Sequence, residues 1–224
     1  MTTIAILGGT GALGTGLARR WVQAGHRVII GSRSQEKADE ALRDLQRVMA
    51  ERGVAIAGVE AMENLAAASA AEIAVLTVPF AHQAGTLAHL RGALEGKILI
   101  DVTVPLLPPK VGTVQLPPAG SAGQTAQQLL GPSVKVVSAF QNVAAHHLQE
   151  GHGLDCDVLV AGDDKDARAT VVKLVEDCGM RGFHAGPIAN AAATEALTSV
   201  IININRAFKC HAGIRITGLD SHGD

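Results

Sequence analysis

The chain has 224 residues, 47% of them hydrophobic and 18% charged, with a formal net charge of -2. That length suits one domain, or one domain with an appendage, and can bury a substantial core; scattered Lys and Arg leave no nucleic-acid footprint, and the sequence predicts neither a membrane span nor a signal peptide. Tyr is absent, which removes it as an acid catalyst, and three widely spaced cysteines, Cys156, Cys178 and Cys210, fit a reduced, cytoplasmic setting better than a disulfide framework.

Residues 4–7 are an apolar run too short for a buried helix, and Gly9-x-Gly11-x-x-Gly14 follows directly. Helical periodicity then begins at Leu13, Leu17 and Trp21 and runs to Gly25, after which residues 27–30 read as a second strand. Strand, glycine turn, helix and strand in this order are the context that makes the glycine spacing a dinucleotide fingerprint. Gly9 is expected to allow the tight turn, Gly11 to let backbone approach a pyrophosphate, and Gly14 to let helix and strand pack closely. The helix N-terminus offers free N–H groups and a positive dipole end to the phosphates.

The end of the second strand selects the nucleotide. An NAD site places Asp or Glu there for the ribose 2′-hydroxyl. This chain has Gly31-Ser32-Arg33, with Lys37 one turn further. A hydroxyl, a guanidinium and an ammonium group suit a 2′-phosphate through charge-assisted hydrogen bonds, so NADP is favoured over NAD.

A long helix is predicted over 34–52, a short strand over 54–58, a helix over 62–71 opening near Asn64, and a buried strand over 73–78 ending at Pro79-Phe80. A helix over 83–94 and a strand over 97–104 follow. This alternation argues an α/β fold, a Rossmann-type doubly wound and mostly parallel sheet. Five prolines make 105–120 a loop at the mouth of the sheet. A helix over 122–130 and a strand over 134–139 close an NADP-binding domain of residues 1–140.

Residues 141–224 are read as a small C-terminal helical region for substrate binding and dimerisation. It contains a strand over 157–162, a helix over 166–178, an extended piece over 183–187 and a long apolar helix over 189–208. A helix apolar around most of its circumference must be covered on most sides, which predicts a two-fold homodimer through 189–208. Residues 220–224 are expected to be disordered.

Taken together, these residues resemble the coenzyme F420-dependent NADP oxidoreductases over almost the whole chain. The resemblance is carried by residues 5–11, by Gly31-Ser32-Arg33 with Lys37, by residues 74–79, 136–140 and 160–164, and by Ala185-Gly186-Pro187 leading into the last helix. It implies hydride transfer between NADP(H) and the deazaflavin coenzyme F420, a small-molecule redox partner. Carried over by position, it implies that Gly9, Thr10, Gly11, Ala12 and Leu13 hold the phosphates and that Ser32, Arg33 and Lys37 hold the 2′-phosphate. Pro79, Phe80, Ala84, Val104 and Ala145 would line the ribose and nicotinamide side. The deazaflavin would stack near Phe140, Gln141, Asn142 and Val143. Arg206, Lys209 and Arg215 are the cations nearest the C-terminus and are the candidates for its acidic tail. The chain departs from the archaeal-type pattern at Gln141-Asn142-Val143-Ala144, where that pattern has His-Thr-Ile-Pro, and at Phe80, where it has Trp.

Transfer between two bound rings depends on proximity and orientation, so no general acid or base is assigned. Two alternatives keep the fold: an NADPH-dependent reductase of another small acceptor (flavin, metal chelate, imine or ketone), for which His82 and Asp101 would be the candidate proton donors, and a non-catalytic NADP(H)-binding module. His146, His147, His152, Asp155, Cys156 and Asp157 crowd together, but their spacing matches no closed zinc pattern, so no metal site is assigned and they are read as a polar loop. Cys210 lacks a paired base and is read as a packing residue.

Overall fold

The computed structural model describes residues 1–54, 58–149 and 154–218. Its strands are β1 (Thr3–Leu7), β2 (Arg27–Ser32), β3 (Val59–Glu63), β4 (Ile73–Leu76), β5 (Ile98–Asp101), β6 (Lys135–Ser138), β7 (Asp157–Gly162) and β8 (Arg181–Gly186). Its helices are α1 (Ala12–Gln23), α2 (Gln35–Glu51), α3 (Asn64–Ala70), α4 (Phe80–Leu94), α5 (Ala122–Leu130), α6 (Ala145–Gln149), α7 (Lys165–Asp177) and α8 (Ala191–Phe208), the last entered through a 3-10 turn at Ile188–Asn190. The strands form one sheet in the order β3-β2-β1-β4-β5-β6-β7-β8. All neighbouring strands are parallel except β6 and β7.

The period of two in an extended chain distributes the apolar residues of β1 between two core layers. Ile4 and Ile6 join Leu17 and Trp21 of α1, Leu45 and Met49 of α2, and Val171 and Leu174 of α7. Ala5 and Leu7 join Ala67 of α3, Leu87 and Leu90 of α4, and Ala126 and Leu130 of α5 on the opposite face. Helices on both faces explain why β1 and β4 are apolar without alternation. The chain steps outward from β1 to β2 and β3, then returns to place β4 on the other side of β1. The carboxyl ends of β1 and β4 therefore diverge into the crevice where such sheets bind ligands.

Several element boundaries differ from the sequence-based expectation. Of the predicted strand over 54–58, residues 55–57 lie outside the described residues; the third strand is Val59–Glu63 instead. It is an edge strand, where Glu60 can pair with Arg27 of β2 in solvent, so its polar composition concealed it. This strand takes residues 62 and 63 from the predicted helix, which starts at Asn64. The strand predicted over 97–104 stops at Asp101, whose carboxylate accepts the Thr103 N–H at 2.9 Å and turns the chain out of the sheet. Helix α4 begins three residues early because Pro79 sits at its N-cap. Helix α6 was not foreseen, being only five residues long. The residues predicted to be disordered, 220–224, lie outside the described residues.

The sheet continues across residue 141. Strand β7 pairs antiparallel with β6 through Val137 with Gly162 and Ser138 with Ala161, and β8 extends it further. Helix α8 lies beyond this edge with Ala191, Thr194, Glu195, Ser199 and Ile201 buried. Its opposite side leaves Val200, Ile204 and Phe208 at 46%, 40% and 77% exposure.

Candidate functional site

The turn after β1 is built from steric necessity at each glycine. Gly8 has φ +73°, and a Cβ there would lie 2.6 Å from Val78 Cγ1. The left-handed residue of the turn is thus Gly8. Gly9 is required by close approach instead: a Cβ would meet the Ile6 carbonyl at 2.7 Å, and its N–H donates to Gly31 O at 2.9 Å. A Cβ on Gly14 would stand 2.7 Å from Gly9 Cα, so its absence lets α1 pack closely against the turn after β1. Gly11 differs from these, because a Cβ there meets nothing within 4 Å. It is the N-cap of α1, has no side-chain cap, and faces open space with Thr10 and Ala12 exposed beside it. The N–H groups of Ala12, Leu13 and Gly14 find no acceptor among the described residues; Thr15 is the first to bond, to Gly11 O. Free amides at a positive dipole end form an anion cradle.

A cleft of about 500 Å³ runs from this turn along the ends of β1, β2 and β4. Gly8, Thr10, Ser32, Arg33, Lys37 and Pro79 line it, so the structure brings together the residues expected to hold the 2′-phosphate and one expected at the ribose. Ser32 is buried at the end of β2, whereas Arg33 and Lys37 are exposed. Among the described residues neither cation has a carboxylate within 4 Å. The cleft is also lined by residues that sequence reasoning did not select: Asn64, Thr77, Gly85, Thr86 and His89. Asn64 has a structural task as well, since its Oδ1 accepts the Gly8 N–H at 3.1 Å and sits where a Gly31 Cβ would clash. An Asn opening a helix after an edge strand was the available signal, and it reads equally well as an ordinary helix start.

Phe80 opens α4 half-buried, but Ala84 does not line the cleft. Val104 follows β5 half-buried, and Ala145 opens α6. Helix α6 is clamped to the glycine-turn helix: a Cβ on Gly16 would meet Leu148 at 2.6 Å, and Gln149 Nε2 donates to Ala12 O at 2.7 Å. Residues 143–149 are thereby held beside the N-terminal half of α1.

The turn at 140–143 is anchored by its own side chains. Phe140 has φ +73° and is fully buried, its ring edge-on to Trp21 with centroids 5.9 Å apart. Its ring is therefore core and cannot stack on a ligand, contrary to expectation; the left-handed backbone turns the side chain inward. Gln141 Nε2 donates to Asp101 O and Ser138 Oγ, both at 2.8 Å, and Thr198 Oγ1 of α8 donates to Gln141 O at 2.9 Å. Asn142 Nδ2 donates to Asp157 O at 2.7 Å. Val143 remains half-buried and lines a second cavity of about 220 Å³ with His147, Asp155, Cys156, His211 and Gly213.

Behind this turn lies a buried polar network. Asp101 Oδ2 accepts Gln83 Nε2 at 2.5 Å, and burial pushes its carboxyl up to about 6 despite the bonds from Thr103 and Gln83. Glu195, reaching in from α8, accepts the N–H groups of Ala122 and Gly123 at 2.6 and 2.9 Å; burial raises it to about 8. Asp101 has no exposed surface, so it has no access to a ligand as a proton donor. His82, in the first turn of α4, is exposed and lines the larger cleft.

The crowded His, Asp and Cys residues have other work. Asp157 holds Arg181 through both carboxylate oxygens at 2.7 and 2.6 Å and accepts the Ile216 N–H. Asp155 pairs with Arg215, which leaves Arg215 committed inside the chain. His147 bonds His211 O at 2.8 Å, burial pushes the Cys156 thiol up, and His152 lies outside the described residues. Arg206 and Lys209, by contrast, are exposed at the end of α8, Lys209 as a left-handed C-cap.

Residues 3–105 match the family model described as NADP oxidoreductase, coenzyme F420-dependent. The chain is 38% identical over 223 residues to the F420-dependent NADP reductase of Methanocaldococcus jannaschii, covering 97% of this chain and 99% of that protein. It is 39% identical to that of Methanothermobacter marburgensis, covering 96% and 98%. A crystal structure of a candidate F420-dependent NADP reductase from Arthrobacter sp. FB24 superposes with a TM-score of 0.79 at 26% identity, over 96% of this chain and all of that one.

Proposed function

The chain belongs to the F420-dependent NADP reductase family, and from that premise we propose that it transfers a hydride between NADP(H) and coenzyme F420. The observation that carries the nucleotide half is the cleft itself. An uncapped helix N-terminus opens beside Ser32 and two cations that have no carboxylate within 4 Å among the described residues, and the end of β2 itself carries no carboxylate. A pyrophosphate fits the amides of Ala12 to Gly14, and a 2′-phosphate fits Ser32, Arg33 and Lys37. Gly9 and Gly11 keep side chains out of the way of the phosphates, and Pro79, Phe80, Val104 and Ala145 are proposed for the nicotinamide side.

The two coenzymes supply the electronics when bound, as carrier rings that give and accept a hydride. The chain supplies placement. Residues 1–140 would hold NADP(H), and residues 141–224 would provide the wall for the second ring and the subunit contact. The turn at Phe140, Gln141, Asn142 and Val143 offers Val143 and main chain, its other side chains being spent on rigidity. Rigid positioning is what a transfer without general acid or base requires. Arg206 and Lys209 are proposed for the acidic tail of F420. The exposed Val200, Ile204 and Phe208 stripe at four-residue spacing supports a homodimer through α8. Among the described residues no helix is long and apolar enough to cross a membrane, and with three free cysteines we place the protein in the cytoplasm.

The test is a spectrophotometric assay with NADPH and oxidised F420, with FMN as a parallel acceptor. NADPH-dependent bleaching of F420 alone is expected. Tight NADPH binding without bleaching would reassign the second site to another acceptor, and imines, ketones and quinones would be screened next.

A further inference from the structure

Helices α1 and α5 each return the chain between two parallel strands, so both N-termini lie on the carboxyl edge of the sheet. The first is left open for a ligand, whereas the second is closed by the chain itself. Glu195 of α8 accepts the Ala122 N–H at 2.6 Å and the Gly123 N–H at 2.9 Å, and Ser121 Oγ accepts the Gln124 N–H at 2.9 Å. Gly123 permits this approach: a Cβ there would lie 3.0 Å from Ile188 Cδ1 and 3.2 Å from Ser138 Cβ. Glu195 has no exposed surface, and a carboxyl group held out of water is costly to keep. Apolar packing would join α8 to α5 as firmly. What a two-pronged acceptor adds is direction, since each oxygen has to meet its own amide.

The same side of α8 grips two more segments. Thr198 Oγ1 donates to Gln141 O at 2.9 Å, and Asn203 Nδ2 donates to Gly112 O at 2.7 Å. Offsets of three and eight residues put both within about a quarter turn of Glu195 around the helix axis. Ser138 Oγ stands between Glu195 and the turn at 140–143, facing Glu195 Oε1 at 3.5 Å and accepting Gln141 Nε2 at 2.8 Å. One helix therefore fixes the start of α5, the turn after β6 and the proline-rich loop after β5. None of these partners lines the nucleotide cleft.

We propose that Glu195 is a positioning residue for the second ring: through the α5 N-terminus and Ser138 it fixes the turn that offers Val143 and main chain to the acceptor. This rests on the hydride-transfer reading, and it assigns the acceptor side a support that the nucleotide side does not share. Two rings must meet close and aligned, and a misplacement of about 1 Å by a residue away from the chemistry can cost about 100-fold in rate.

Glu195→Gln keeps one acceptor, Glu195→Ala removes both, and Ser138→Ala breaks only the link to Gln141. Val171→Ala, in the buried core of α7, is the control for lost stability alone. Steady-state kinetics with F420, run below every melting transition, would be read beside fluorescence titration of NADPH. Glu195→Gln should lower kcat by about ten-fold and raise KM for F420 by about three-fold, with Kd for NADPH within about two-fold of the parent. Glu195→Ala should lose more and Ser138→Ala less, in the same parameters. Val171→Ala should keep all three parameters whatever its loss of Tm. Parent-like kcat and KM in Glu195→Gln, the same losses in Val171→Ala, or a fall in NADPH affinity as large as the fall in kcat would overturn the proposal and leave the hydride-transfer reading standing. Should the Glu195 variants not fold, parent-like kinetics in Ser138→Ala would overturn it equally. A parent protein that binds NADPH without reducing F420 would overturn the hydride-transfer reading, and this proposal with it.

Discussion

Arg33 and Lys37 are exposed cations with no carboxylate within 4 Å among the described residues. Replacing both with Ala should weaken NADPH by about 100-fold, at roughly 1.5–3 kcal/mol for each hydrogen bond between charged groups and some loss to solvent screening. NADH, which lacks the phosphate, should change by less than about three-fold, and fluorescence titration of both cofactors checks this; an equal loss for the two would remove the 2′-phosphate assignment. This pair was legible because Ser32, Arg33 and Lys37 are close in sequence. Asn64 and His89 were not, because single polar residues on separate helices acquire a shared wall only when β2 and β4 flank β1. Phe140 misled for a related reason: its ring is buried at a left-handed backbone position, which sequence does not display. Glu195 was hidden in an apolar helix, and it carries a pH signature. Its carboxyl is raised to about 8, so the folded chain holds a proton that the unfolded chain gives up near its ordinary 4.5. Folded protein binding more protons means that stability is fully present below about pH 4.5 and falls as pH rises toward 8. Asp101, raised to about 6, acts in the same direction over the lower part of that window. Thermal melts should show a loss of about 1–3 kcal/mol between pH 5 and 8, and Glu195→Gln should flatten the upper half of that slope while lowering Tm through the backbone bond it forfeits.

At the scale of elements, the glycine turn and α1 act as one piece. Gly14→Ala would drive a methyl group into Gly9 Cα and O, both 2.7 Å away, and neither can move without displacing β1 or the turn. A cost of about 1–3 kcal/mol is expected, read as a fall in Tm of roughly 2–10 °C, together with lost NADPH binding. Gly11→Ala meets open space, so it should leave Tm within about 1 °C of the parent and affect the ligand alone. These helices and the central strands were legible, since their apolar periods are long and their packing is two-sided. Strand β3 and helix α6 were not. The first is a polar edge strand, and the second is five residues held by its contacts with α1, so neither carries a period long enough to read.

At the scale of the whole molecule, α8 has one face in the core and one stripe uncovered. Val200, Ile204 and Phe208 form that stripe, and an interface large enough for a stable dimer would have to extend beyond it to about 800 Å² on each partner. Exposed Leu107, Val114 and Leu116 lie in the proline-rich loop, which α8 holds through Asn203 Nδ2 to Gly112 O at 2.7 Å, and they supply further apolar area. Ile204→Asp with Phe208→Asp should convert the dimer to a monomer in light scattering, with the melting transition kept; a parent protein already monomeric at micromolar concentration would retire the proposed assembly. The strand order has a consequence for synthesis. Strand β1 is made before the other strands, yet its second neighbour, β4, begins at Ile73, and until then one edge of this apolar strand is unpaired. At about 5–20 residues per second the nascent chain passes several seconds in that state. A half-sheet of β1 to β5 can close once residue 101 has emerged, well before β7 and β8 are made, so a slow codon run would be tolerated after residue 101 far better than between residues 32 and 73.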